Sequence, residues 1–241
     1  MAQNSLEGKT VIIAGAAGGL GSVAAAAFAA AGANLALLGR DSGKLENLAS
    51  NLAMPNNRVL TLACDVASPQ EVKDAVDAIL KKFNGLHALV NLVGGWIGGK
   101  TILETKLEDL TSMLDQHLFA AYTLTRAMVP HMLENKWGRV LAISSPNASR
   151  PPGKNSPYAI GKAAMETLML SLAAEVKGTG VTANLLLVRT IDVAHERDIN
   201  PGKENWNWTS PEEISATLLH LCSDEARMIN GARIPLYGES Y

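Results

Sequence analysis

The chain has 241 residues, with 21 Lys and Arg against 23 Asp and Glu, for a formal net charge of −2. Its 47% hydrophobic content supports a sizeable core and argues against disorder, and the near-neutral balance argues against nucleic acid or an anionic membrane as partner. Two cysteines, Cys64 and Cys222, are too few for a disulfide scaffold and have no metal-ligand spacing; no metal is expected. The polar start MAQNSLEGKT does not read as a secretory signal, so a cytoplasmic protein is expected.

Short apolar runs alternate along the chain with longer stretches of helical period. The runs at 10–14, 34–38, 59–63, 88–92, 140–144 and 182–188 predict buried strands, and 234–236 offers a seventh. The stretches 20–31, 42–52, 69–82, 107–135, 157–177 and 211–223 predict helices between them. The uncharged stretch 10–39 is long enough for a membrane span, but it is built of Ala and Gly and fits a strand, a turn and a helix. Ser68-Pro69-Gln70-Glu71 and Ser210-Pro211-Glu212-Glu213 each place an N-cap Ser, a Pro and a Glu where they can satisfy free N–H groups at a helix start. Strand–helix alternation predicts an α/β fold, a doubly wound parallel sheet of about seven strands with helices on both faces. One domain over residues 1–241 is expected, with an irregular segment at 189–209 in the position of a lid.

Gly15, Gly18, Gly19, Leu20 and Gly21 follow the first strand and open the first helix. Glycines let the backbone approach a pyrophosphate, and the helix start offers free N–H groups and a positive dipole end. The second strand ends in Gly39-Arg40-Asp41, with no acid at the Gly39 position. A carboxylate there would bind ribose hydroxyls and repel a 2′-phosphate; the Arg40 guanidinium does the reverse, so NADP(H) is expected over NAD(H). Tyr158 and Lys162 stand at i, i+4 on one helix face, and Ser145 ends the strand before them. An ammonium near a phenol favours the phenolate, and a phenol so tuned can exchange a proton with a substrate oxygen.

The ordered set of the Gly motif, Asp65, Asn91-Leu92-Val93-Gly94, Ser145 and Tyr158/Lys162 resembles the short-chain dehydrogenase/reductase family over essentially the whole chain. The resemblance implies a Rossmann-type domain and hydride exchange between nicotinamide and a small carbonyl or alcohol. It implies Tyr158 as general acid/base, Ser145 orienting the carbonyl, and Lys162 lowering the Tyr158 pKa and binding the nicotinamide ribose. Asp65 and Val66 would meet adenine, and Asn91, Gly94 and Ile191 would line the cofactor. Dimers or tetramers formed through helices 107–135 and 157–177 are also implied.

The sequence departs from the family pattern at several places, among them Asn91-Leu92-Val93-Gly94 in place of the usual Asn-Asn-Ala-Gly. His117 stands where the family usually has the Asn of a proton relay, and it is either a relay itself or a core histidine. Val188-Arg189 replaces a Pro-Gly. Gly94-Gly95-Trp96-Ile97-Gly98-Gly99 is similar to a segment of dihydropteridine reductases, and Trp96 could stack on a flat heteroaromatic ring or simply pack in the loop. Trp206 and Trp208, near the end of the 189–209 segment, could shape an apolar substrate pocket or pack against another subunit. A dihydropteridine-reductase-like enzyme, or a cofactor-binding regulator with little turnover, are the alternative readings.

Overall fold

The computed structural model describes residues 6–238; residues 1–5 and 239–241, parts of the expected domain, lie outside them. The first half runs β1 (Thr10–Ala14), α1 (Gly19–Ala30), β2 (Asn34–Gly39), α2 (Ser42–Asn51), β3 (Val59–Ala63), α3 (Pro69–Phe83) and β4 (Ala88–Asn91). The second half runs α4 (Leu107–Leu114), α5 (Ala120–Glu134), β5 (Gly138–Ser144), α6 (Ser156–Glu175), β6 (Val181–Leu187), α7 (Glu196–Ile199), α8 (Pro211–Cys222) and β7 (Arg233–Pro235). The strands are all parallel, in the order β3-β2-β1-β4-β5-β6-β7. The expected doubly wound sheet is therefore present, with strand ends shifted by a residue or two.

Strand alternation divides the core between two faces. Ile12, Ala36 and Leu38 pack with Val72 and Ile79 of α3, Leu124 and Met128 of α5, and Met169 of α6. Val11, Ile13, Leu35 and Leu37 pack on the other face with Phe28 of α1, Leu45 of α2 and Leu218 of α8. The crossing point between β1 and β4 opens a crevice at the carboxyl ends of the strands, the place where such sheets take ligands.

Three local expectations are corrected. The stretch 107–135 is not one regular helix, because α4 and α5 join through a π turn at Asp115–Phe119 that contains His117. The segment 189–209 is built rather than irregular. Ile191 bridges Thr209, and the buried Asp192 carboxylate accepts from the Glu196 and Arg197 N–H groups to start α7. Arg197 then donates to the Trp208 carbonyl and the Glu213 carboxylate. At α3, Ser68 caps the helix as expected, but Glu71 accepts from the Asp65 N–H rather than closing a capping box. Both features appear in full at α8, with Ser210 and Glu213.

The opposite end of the sheet is held by a buried cation that no motif marks. Arg139 is 1% exposed and donates to the carbonyls of Gly138, Gly180 and Ser223, with its guanidinium 4.3 Å from the Trp137 ring. His87, which has no pattern in the sequence, accepts the Thr10 N–H on Nδ1 at 3.0 Å.

The β1–α1 turn depends on an absent Cβ. A Cβ on Gly21 would stand 2.3 Å from the Gly15 carbonyl oxygen and 2.5 Å from that of Ala16, whereas one on Gly43 in α2 would meet only Asp41, at 3.5 Å. Gly21→Ala is expected to lose about 3 kcal/mol from overpacking. Gly43→Ala is expected to gain up to about 1 kcal/mol from helix propensity. Denaturant unfolding of the two variants checks this opposition of sign, and equal effects would contradict it.

Candidate active site

A cleft of about 710 Å³ runs over the carboxyl ends of β1, β4, β5 and β6. At one end lies the glycine turn. Gly15 adopts φ +83°, and its N–H and that of Ala16 both donate to the Leu38 carbonyl, which fixes the turn against β2. A Cβ on Gly15 would press on the Leu92 backbone at 3.1 Å. α1 starts at an extended Gly18 with no side-chain cap and no acid in its first turn. Its first N–H groups therefore remain available, with the positive end of the helix dipole, for the phosphates of a dinucleotide. A pyrophosphate fits this cradle. Gly18, Gly19, Leu20 and Gly21 all line the cleft.

At the other end stand Tyr158 and Lys162, on the first turns of α6. The Lys162 ammonium is buried and donates to the Ile143 carbonyl at 2.7 Å, and it lies 5.7 Å from the Tyr158 ring centroid. Burial pushes its pKa down to about 8, against the pull of the Glu166 carboxylate. Glu166 is in turn saturated, accepting from the Ser144 hydroxyl at 2.6 Å and pairing with Arg233 at 2.8 Å. Burial raises the Tyr158 phenol above its ordinary value, and a side-chain hydrogen bond with Ser145 pulls the other way without reversing the shift. The direction is opposite to the lowering that the family resemblance implies for Lys162, which approaches the face of the ring while desolvation sets the shift. Ser145 is 1% exposed, and its hydroxyl also accepts the Asn147 N–H.

His117 lies between these groups. Its ring meets the Tyr158 ring edge-on at 5.5 Å between centroids, and Nε2 faces the Gly95 carbonyl at 3.1 Å. Nδ1 is buried with no partner among the described residues. Burial and the Lys162 charge lower its pKa to about 3, although the bond to Gly95 opposes the shift. The ring is therefore neutral at physiological pH, donating through Nε2 to Gly95. Of the two readings of His117 from sequence, relay or core histidine, this setting favours the core histidine: the donor nitrogen ends on a backbone carbonyl, and burial disfavours the charged form. His117 supports the Gly94–Gly95 turn, where a Cβ on Gly94 would stand 2.7 Å from the ring.

The remaining expected residues divide. Gly94, Trp96 and Ile191 line the cleft. Asn91 sits just behind, its side-chain Oδ1 accepting the Val93 N–H and its buried Nδ2 without a partner among the described residues, a donor available to a bound group. Trp96 is 63% exposed at the rim, and its Nε1 donates to Asn155 at 3.0 Å. Arg40 is exposed just past β2, two residues beyond the Leu38 carbonyl that anchors the glycine turn, and does not line the cleft itself. Asp65 and Val66 also lie outside it, and the Asp65 carboxylate accepts the Ala67 N–H. Trp206 and Trp208 are not brought to the cleft, which corrects their expected place. Their segment folds toward Arg197, through the Trp208 carbonyl, and toward Gly238, which Trp206 approaches. Asn147, Arg189 and Val193 line the cleft unannounced. Arg189 was visible only as a departure from pattern, and the Val193 side chain covers Gly19 so closely that a Cβ there would stand 2.8 Å away.

With this geometry, residues 9–204 match the family model described as short chain dehydrogenase. The chain is 35% identical over 74% of its length to a short chain dehydrogenase from Pseudocercospora fijiensis, and spans 58% of that longer relative. It is 29% identical to D-threitol dehydrogenase of Mycolicibacterium smegmatis, over 97% of this chain and 93% of that one. Among solved structures it superposes on L-sorbose reductase from Gluconobacter frateurii, complexed with NADPH and L-sorbose, with TM-score 0.86 and 27% identity over 98% of each chain. The chain belongs to the short-chain dehydrogenase/reductase family, oxidoreductases that act between an alcohol and a carbonyl.

The depressed His117 pKa makes folding pH-dependent with a definite sign. The unfolded imidazole binds a proton near pH 6.5 and the folded one does not, so the stability is present above about pH 6.5 and is lost as pH falls toward the folded value. His117→Asn is therefore expected to flatten the loss of stability below pH 6.5, measured by urea unfolding at several pH values. A parent and variant with parallel profiles would contradict this.

Proposed function

We propose that this chain is an NADP(H)-dependent oxidoreductase that interconverts a small carbonyl and its alcohol, with Tyr158 as general acid/base. The observation that carries the reading is the joining, in one cleft, of an uncapped glycine-rich helix start with Tyr158 and Lys162, while the buried Ser145 hydrogen-bonds to Tyr158 from behind the lining. A bound nicotinamide dinucleotide supplies or accepts the hydride. The first turn of α1 holds its pyrophosphate, Asp65 and Val66 meet the adenine, and Asn91, Gly94 and Ile191 line its length. Ser145 orients the substrate oxygen, and Tyr158 gives that oxygen its proton during reduction and removes it during oxidation. The raised phenol pKa suits the donor role at neutral pH. Lys162, fixed by Ile143, lies beside the Tyr158 ring and binds the ribose hydroxyls.

The preference for NADP(H) rests on Arg40. Asp41, the nearest acid, is held by the Lys44 N–H at 3.0 Å and by the Lys44 ammonium, which supports its role as a helix cap rather than a ribose acceptor. The substrate class is small and oxygenated, as the names of the threitol and sorbose relatives suggest. The exposed rim position of Trp96 favours, as a second reading, a flat heteroaromatic substrate of the dihydropteridine kind.

One domain over 1–241 with 189–209 as its lid belongs to the same reading, with Val193 over Gly19 as its support. Assembly into a dimer or tetramer through α5 and α6 is supported by the exposed apolar side chains of Tyr122, Leu133, Ile160 and Leu170. A cytoplasmic setting is supported by two free buried thiols, which burial pushes to about 11 at Cys64 and about 12 at Cys222. Among the described residues, no helix is long and apolar enough to cross a membrane.

Fluorescence titration with each cofactor tests the Arg40 argument. NADPH is expected to bind more tightly than NADH, and Arg40→Ala to weaken NADPH by about tenfold or more while leaving NADH unchanged. Equal affinities in parent and variant would overturn the preference. Tyr158→Phe is expected to lower turnover of a carbonyl panel by about 10²- to 10⁴-fold with cofactor binding retained, and parent-like turnover would overturn its role.

A further inference from the structure

A second cavity, of about 420 Å³, lies between the segment after β5 and the β7 edge. Asn147 and Arg189 line both this cavity and the main cleft, so the two spaces share a wall. That wall begins two residues from Ser145, whose hydroxyl accepts the Asn147 N–H. Arg150, Arg189 and Arg233 line the second cavity together with Tyr237, and among the described residues no carboxylate lines it.

The three charges are not equivalent. Arg233 is neutralised by Glu166, whose other oxygen is taken by Ser144. Arg189 lies over the Tyr237 ring at 5.4 Å, a contact that orients a guanidinium without cancelling its charge. Among the described residues, neither Arg189 nor Arg150 has a carboxylate within ion-pair distance. Two arginines with no carboxylate partner among the described residues therefore line one concave space beside the proton-transfer group. Arginine forks match planar carboxylates and phosphates through paired charge-assisted hydrogen bonds.

We infer that this cavity is the subsite for an anionic group of the substrate, so that the carbonyl or alcohol compound carries a carboxylate a short chain away from the reacting carbon. The inference rests on the reading of Tyr158 and the cleft given above, and narrows it from neutral polyols to oxo acids and hydroxy acids. Arg189 and Arg150 would hold the acid while the reacting oxygen lies at Ser145 and Tyr158. Val188-Arg189 takes the place of a family Pro-Gly, so the departure in sequence becomes the source of specificity.

The test compares 4-oxopentanoate with 2-pentanone, which share a methyl ketone and differ in the acid. Calorimetric titration of the full chain loaded with NADP⁺ reads binding without turnover, because no hydride is available for a ketone. The parent is expected to bind the acid at least about tenfold more tightly than the ketone. Raising the salt concentration should narrow that ratio. Arg150→Met and Arg189→Met, both at exposed positions, should each lower it by about tenfold. Tyr158→Phe should leave the ratio intact while removing turnover of the acid with NADPH, so failure of the subsite and failure of the catalytic reading are told apart. Equal binding of the two compounds by the parent, or a ratio that survives both arginine substitutions, would overturn the subsite.

Discussion

The site depends on one buried ammonium. Lys162 is at the start of a long helix, yet its nitrogen is out of water and bonded to the Ile143 carbonyl, so it ties α6 to β5. A buried cation is costly unless it is paired and hydrogen-bonded. Its support comes from that carbonyl and from Glu166 one turn along α6. Glu166 in turn fixes Ser144 on β5 and Arg233 on β7. The same bonds that make Lys162 tolerable thus set the register of α6 against two strands, β5 and β7. Tyr158 and Ser145 inherit their separation from that register.

The opposite wall is set by the absence of atoms. Gly21 has no Cβ, so α1 can approach the Gly15 and Ala16 carbonyls, and the helix start is left without a side-chain cap. The first N–H groups of a helix have no partner within it, and at α1, where no side chain caps them and the glycine turn leaves room, they are open to an anion. Val193 lies over Gly19 from the 189–209 segment, which is held in shape by Asp192 and Arg197. The cleft is therefore rigid on its sheet side and bounded by a small, separately braced segment on the other. That division suits a site that must admit a cofactor and then position a substrate.

Most of the fold was legible because its signals are local. Apolar runs of strand length, the Ser-Pro-x-Glu helix starts and the glycine turn each report on their own neighbourhood, and their order along the chain is enough to dictate a doubly wound sheet. Tyr158, Lys162 and Ser145 were legible because i, i+4 spacing and a strand end place them together. Features set by long-range burial were not legible. The π turn moves His117 into the interior, where its pKa falls instead of staying near neutral. The Tyr158 phenol is raised because desolvation outweighs its hydrogen bond with Ser145. Trp206 and Trp208 were read by proximity in sequence to a presumed lid, but the Asp192–Arg197 brace turns their segment elsewhere. Arg189 could be noticed only as something missing from a pattern, and its meaning comes from Arg150 and Tyr237, which the sequence sets far apart.

The central claim is that the uncapped helix start and the Tyr158 group serve a single bound dinucleotide. A crystal structure of the protein with NADP⁺ tests it most directly. The account predicts the pyrophosphate on the N–H groups at Gly19–Gly21, the 2′-phosphate at Arg40, and the nicotinamide ribose beside Tyr158 and Lys162. A dinucleotide bound with its nicotinamide out of reach of Tyr158, or with its pyrophosphate away from α1, would contradict it.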